Sequence, residues 1–132
     1  MDLLPTAAEL AGARLPAGRV LDGVSQVQAL TTGQGQPRQT LLYYWDSELR
    51  AVRRGRYKAH FVTSGAYGLG EPRTEHSPPL LFDLQEDAGE RFDVAAAHPE
   101  IVADLVRAAD AHRRSLVPAG PLFDARLPTA KP

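Results

Sequence analysis

An α+β fold, with a small four-stranded antiparallel sheet packed against a C-terminal helix, is the class this sequence predicts. Three observations point to it. Four β-prone segments lie between residues 40 and 84, each set off from the next by turn-forming residues. An amphipathic run opened by His98-Pro99 has helical apolar spacing, with proline at the first helical position. The 132 residues, 43% of them apolar and 23% charged, have the size and composition of one globular domain.

Taken in order, Asp2 is followed by Leu3, Leu4, Ala7, Ala8, Leu10 and Ala11 at helical spacing, with Pro5 tolerated in the first turn and Gly12 placed to stop the run. A short amphipathic helix is expected, and its abrupt beginning reads as a cut. Residues 13–35, rich in Gly, Pro, Gln and Thr, read as a connecting excursion with one weak helical run at Val24, Val27 and Leu30. Leu41-Leu-Tyr-Tyr-Trp45 is the first strand, Asp46-Ser47 a turn, and residues 49–54 alternate apolar with basic side chains as the second strand. Gly55 permits a tight turn into residues 56–62, where Tyr57, Ala59 and Phe61 face one side and Lys58 and His60 the other. Residues 64–77 read as a loop by composition, and residues 79–84 as the fourth strand. Along the last helix, residues 99–116, Ile101, Leu105, Ala108, His112 and Leu116 form the stripe expected to cover the sheet. Prolines at 118, 121, 128 and 132 predict an extended tail.

The net charge of −1 provides no field to attract nucleic acid or an anionic membrane surface. No apolar run approaches the 18 residues of a membrane span, and the Met1-Asp2 opening does not read as an export signal, which leaves the compartment open. With no cysteine, disulfides and thiolate metal sites are excluded. Lys58 and His60 share a strand face and suit either an anionic ligand or a contact with another domain. Asp83, Glu86, Asp87 and Glu90 lack the alternating oxygen ligands of a calcium loop and read as a locally capped turn. Trp45, Tyr43, Tyr44 and Phe61 read as core or interface rather than as a sugar platform. Arg50, Arg53, Arg54 and Arg56 fall on alternate faces of a strand, which weakens a nucleic-acid reading. His112 reads as a packed, hydrogen-bonded residue and His98 as a helix-start residue, neither in metal-ligand company.

Four ordered segments carry a family resemblance: Asp2-Leu-Leu-Pro-Thr6 with Glu9-Leu-Ala-Gly12, Leu21-Asp-Gly-Val-Ser25, Arg53-Arg-Gly-Arg-Tyr-Lys-Ala-His-Phe61, and Pro79-Leu-Leu-Phe-Asp-Leu-Gln-Glu-Asp-Ala-Gly-Glu90. They resemble the C-terminal part of sulfatases of the arylsulfatase A and N-acetylgalactosamine-6-sulfatase type, with Ala88 where that family usually has proline. The resemblance implies a first helix left over from a sulfatase α/β core at residues 1–35, a C-terminal subdomain at 36–119 and a tail at 120–132. It implies that intact members use a formylglycine nucleophile and calcium on a sulfate ester. It also implies that intact relatives are commonly exported or lysosomal. Here no Ser is followed by the Pro/Ala and Arg of the formylglycine motif, and neither an Asp-Asp pair nor any Asn is present to match the calcium ligands. No catalytic or metal residue is therefore expected in this chain, nor a cofactor of its own, and the isolated chain is expected to be inactive. The sharpest candidate is His76, in Glu75-His-Ser-Pro-Pro-Leu-Leu81, which resembles a family segment whose histidine lies at the substrate pocket. The expected partner is the sulfatase N-terminal catalytic core, or a second copy through an exposed face. A free-standing module that binds a partner protein or a sulfated glycan is the alternative.

Overall fold

The computed structural model describes residues 1–18, 20–35, 38–66 and 69–116. The tail expected at 120–132 lies outside the described residues. Two compact units are present, Met1–Gln39 and Thr40–Pro132.

In the first unit, helices α1 (Leu3–Leu10) and α2 (Val27–Thr32) pair. Polar side chains join them. Asp2 does not cap its own helix; its Oδ1 accepts from the Val24 amide at 2.9 Å and from Arg38, whose guanidinium also donates to the Asp22 carbonyl at 2.7 Å. Thr6 Oγ1 accepts the Gln26 amide at 3.0 Å. The weak helical run expected around residues 24–30 forms two or three residues later, because Gly33, at φ 69, supplies the left-handed stop. α1 leaves Leu3, Leu4 and Leu10 exposed, at 85, 57 and 65%.

The second unit is a four-stranded antiparallel meander in the order β1 (Thr40–Trp45), β2 (Glu48–Arg54), β3 (Tyr57–Thr63) and β4 (Thr74–Asp83), followed by helix α3 (Pro99–Ser115). This is the α+β arrangement expected. Gly55, at φ 58, makes the β2–β3 turn without steric cost. In-register pairing of Leu42, Val52, Ala59 and Leu81 lines one sheet face, and Val102, Leu105 and Ala109 of α3 pack on it. Val52, Ala59, Leu81, Leu105 and Ala109 are all at most 1% exposed. Full burial of a leucine contributes about 1.5–3 kcal/mol, which holds a helix of this length in place. The buried stripe is offset from the one expected: Val102 and Ala109 are at its centre, and Ile101 and Ala108 flank it.

A second difference concerns residues 64–77, expected to be loop throughout. β4 begins at Thr74, and its pairing with β3 slips between His60 and Val62, across a stretch that includes the cis Ser77–Pro78 peptide. Prolines 78 and 79 hid the strand, since proline cannot donate to a ladder and occurs at edges and bulges. β4 is an edge strand, and its outer side is covered: Leu81 N–H donates to Asp93 Oδ1 at 2.9 Å and the Leu81 carbonyl accepts the Val94 amide at 2.8 Å.

Candidate functional site

His76 sits on β4, half-buried, with its Nε2 2.8 Å from Thr63 Oγ1 on β3. The hydroxyl fixes the ring orientation, and among the described residues Nδ1 has no hydrogen bond. Beside it, on the sheet face away from α3, a shallow cavity of about 220 Å³ is lined by Trp45, Arg50, His60, Val62, Thr63 and Ser64. Trp45 is 54% exposed. Of the two placements expected, core or interface, the core is therefore excluded within this chain: Trp45 ends β1 next to Asp46, whose φ of 55 turns the chain away and leaves the indole at the cavity rim.

Arg50 projects from the irregularity where Tyr43 faces Ala51 and Tyr44 faces Leu49. Its Nε lies 2.8 Å from Glu48 Oε2 and its Nη1 donates to Ser64 Oγ at 3.3 Å. Arg73, from the segment entering β4, bridges Glu48 and Glu75 at 2.5 Å each. Glu48 is held below the usual carboxylate range, chiefly by its hydrogen bond from Arg73. Gly65 closes the adjoining loop, its amide donating to the Glu71 carbonyl at 2.7 Å, and a Cβ there would lie 1.8 Å from the Leu69 carbonyl oxygen.

Lys58 and His60 share a face, as their spacing indicated, and one carboxylate meets both. Glu90, at φ 53, reaches over the sheet so that Oε1 accepts from Lys58 Nζ at 2.6 Å and Oε2 lies 2.7 Å from His60 Nε2. Lys58 also lies 4.6 Å from the centre of the Tyr43 ring, and His60 meets Phe82 edge-on. Burial pushes the His60 pKa below its ordinary value, Lys58 adds to that, and the opposing pull of Glu90 is the smaller effect. For Glu90, burial acts upward, but the hydrogen bond and charge of Lys58, with His60, hold the carboxyl low.

The acidic turn is capped from within. Asp87 Oδ2 accepts the Arg91 and Phe92 amides at 2.6 and 2.8 Å, and Asp83 takes both the Arg56 guanidinium and the Gln85 amide. Among the described residues no three His, Cys, Asp or Glu side chains are grouped to hold a metal ion. The arginines divide as expected: Arg54 pairs with Asp104 on α3 at 2.5 Å, and Arg53 donates to the Gly55 carbonyl. His98 starts α3, with its carbonyl accepting the Ile101 and Val102 amides and its ring against Tyr57. His112 is packed edge-on to Tyr44, and its buried Nε2 has no hydrogen-bond partner among the described residues.

The Thr63–His76 bond and the Arg50–Glu48–Arg73 chain were not foreseen from sequence. Thr63 and His76 are 13 residues apart and Glu48 and Arg73 are 25 apart, and the slipped β3–β4 register decides that Thr63 meets His76. Glu90 gave no signal in sequence, because its reach to Lys58 and His60 depends on the left-handed turn that carries it across the sheet.

A family model for the C-terminal region of aryl-sulfatase matches residues 36–132. Arylsulfatase of Hemicentrotus pulcherrimus is 36% identical over 94% of this chain and 27% of its own length. Arylsulfatase A of Bos taurus is 44% identical over 82% of this chain and 24% of its own, and N-acetylgalactosamine-6-sulfatase of Canis lupus familiaris is 34% identical over 92% and 27%. The chain thus spans about a quarter of the length of these relatives. Among solved structures, a sulfatase from Pseudoalteromonas sp. superposes with a TM-score of 0.69 at 21% identity, covering 83% of this chain and 24% of that one. A sulfatase from Bacteroides thetaiotaomicron superposes at 0.68 and 23% identity, covering 86% and 24%. At these identities the structural likeness speaks to the fold.

Proposed function

Since the chain belongs to the family of the aryl-sulfatase C-terminal region, we propose that it completes the fold of a sulfuric ester hydrolase and forms one wall of its substrate pocket, with His76 facing the substrate. The observation that carries this reading is the Thr63–His76 bond, which holds the imidazole with one nitrogen engaged and the other free to meet a sulfate ester oxygen. The partner is a sulfatase catalytic core. The three exposed leucines on one short helix, α1, support such a contact, because large apolar side chains grouped at a surface favour an interaction site.

A nucleophile and a metal would come from that core. In the family a formylglycine supplies an oxygen nucleophile and calcium neutralises the sulfate oxygens. The residues present here do not fit either group: there is no cysteine, no serine stands in the required motif, and Asp83, Asp87 and Glu90 are taken up by cations and amides. No step of the hydrolysis is therefore assigned to this chain.

The test is complementation. The purified chain alone is expected to leave an aryl sulfate intact, and co-expression with the catalytic core of a related arylsulfatase to restore turnover that His76→Ala lowers by about tenfold to a hundredfold, the scale of a lost hydrogen bond to the substrate. Turnover by the chain alone, or restored turnover indifferent to His76, overturns the reading.

A further inference from the structure

The cavity under Trp45 has a composition that sulfate chemistry does not call for. Its floor and rim pair an exposed indole with buried Val62, while the polar groups are an arginine, two hydroxyls and an imidazole. Around it, charges cancel: Arg50 and Arg73 stand against Glu48 and Glu75, and Lys58 against Glu90. A cancelled rim gives little net attraction for an anion, yet it offers strong donors and acceptors side by side. That combination suits hydroxyl groups, each of which donates and accepts at once.

We propose that this cavity binds an uncharged, hydroxylated sugar ring, whose C–H face stacks on Trp45 and whose hydroxyls bond to Arg50 and Ser64, with Glu48 holding Arg50 in place. Three features support it. Arg50 is pre-set, because the Glu48 carboxylate stands 2.8 Å from its Nε and Ser64 accepts from Nη1, while the buried Nε itself has no hydrogen-bond partner among the described residues. The volume of about 220 Å³ falls below the roughly 300–1,000 Å³ of pockets for drug-sized ligands, and so suits a single ring. Thr63 lines the cavity and also holds His76, so the ring sits next to the residue proposed to face the sulfate ester. The proposal deepens the pocket-wall reading by naming an unsulfated neighbouring ring as what this part of the wall takes.

Trp45 is the chain's only tryptophan, so its fluorescence reports on the cavity directly. The 132-residue chain is titrated with lactose, with galactose 6-sulfate and with sodium sulfate, at low and high salt. Expected is a saturable change in emission with lactose in the millimolar range, unaffected by salt and no weaker than that with galactose 6-sulfate. Arg50→Gln and Glu48→Gln, each checked by circular dichroism, are expected to weaken lactose binding about tenfold, on the scale of one lost hydrogen bond to a charged group. No saturable response to lactose overturns the proposal, as does a salt-sensitive response that follows sulfate. No catalytic core enters this measurement, so failed complementation overturns the pocket-wall reading alone, and absent lactose binding overturns this one alone.

Discussion

Leu105 is 1% exposed and lies in the cluster formed with Val52, Ala59 and Leu81, so its side chain has little room to be replaced by relaxation. Leu105→Ala is expected to destabilise the second unit by about 2–5 kcal/mol, measured by urea unfolding. Its burial was legible in sequence, since a leucine at the centre of a helical apolar stripe has few other places to go. His60 behaves differently. Its folded pKa is depressed by burial and by Lys58, so the folded protein binds fewer protons than the unfolded chain as pH falls below the ordinary histidine value of about 6.5. Its contribution is therefore present above that value and lost as pH drops toward the folded pKa. Glu90 and Asp87, also depressed, lose theirs at lower pH, below the ordinary carboxylate values. Thermal unfolding is expected to shift down between pH 7 and 5, and His60→Gln to flatten that part of the profile. A profile unchanged by the substitution would contradict the assignment. None of this was readable from residue type, because it depends on Glu90 crossing the sheet.

At the scale of elements, Ala109 on the sheet-facing side of α3 is fully buried in the core cluster. Ala109→Leu overpacks this cluster and is expected to cost about 1–3 kcal/mol, whereas the same change at exposed Ala111 is expected to be near neutral in the same unfolding assay. Asp93 covers the edge of β4 by accepting the Leu81 and Ala95 amides. Asp93→Ala is expected to cost about 0.5–1.5 kcal/mol per lost bond and to raise amide hydrogen exchange at Leu81. Helix α3 was foreseen within a residue of its end, because proline marks its start and periodicity its length. β4 was foreseen only in its second half. Its first half carries Thr74, Glu75 and His76, with no apolar alternation, and is a strand because β3 lies beside it.

For the whole molecule, the exposed Leu3, Leu4 and Leu10 of α1 set the expected behaviour in solution. The isolated chain is expected to self-associate with rising concentration in analytical ultracentrifugation, and Leu3→Glu with Leu10→Glu to reduce this without lowering the unfolding midpoint of the second unit. Mass distributions that these changes leave untouched would place the association elsewhere.

By itself the sequence determined the fold class and the family, since these rest on local pattern: β-prone runs between turn residues, an apolar stripe at helical period, and ordered motifs ending in Pro79-Leu-Leu-Phe-Asp-Leu84. It also fixed what the chain lacks, because a missing cysteine or asparagine is a fact of composition. Only the tertiary structure decided which side chains meet. The slipped β3–β4 register pairs Thr63 with His76, the irregular β1–β2 pairing brings Arg50 to Glu48 and Ser64, and the left-handed backbone at Glu90 carries its carboxylate to Lys58 and His60. A strand's side chains alternate with period two, so one bulge changes which residues share a face, and no local propensity records where two distant strands slip.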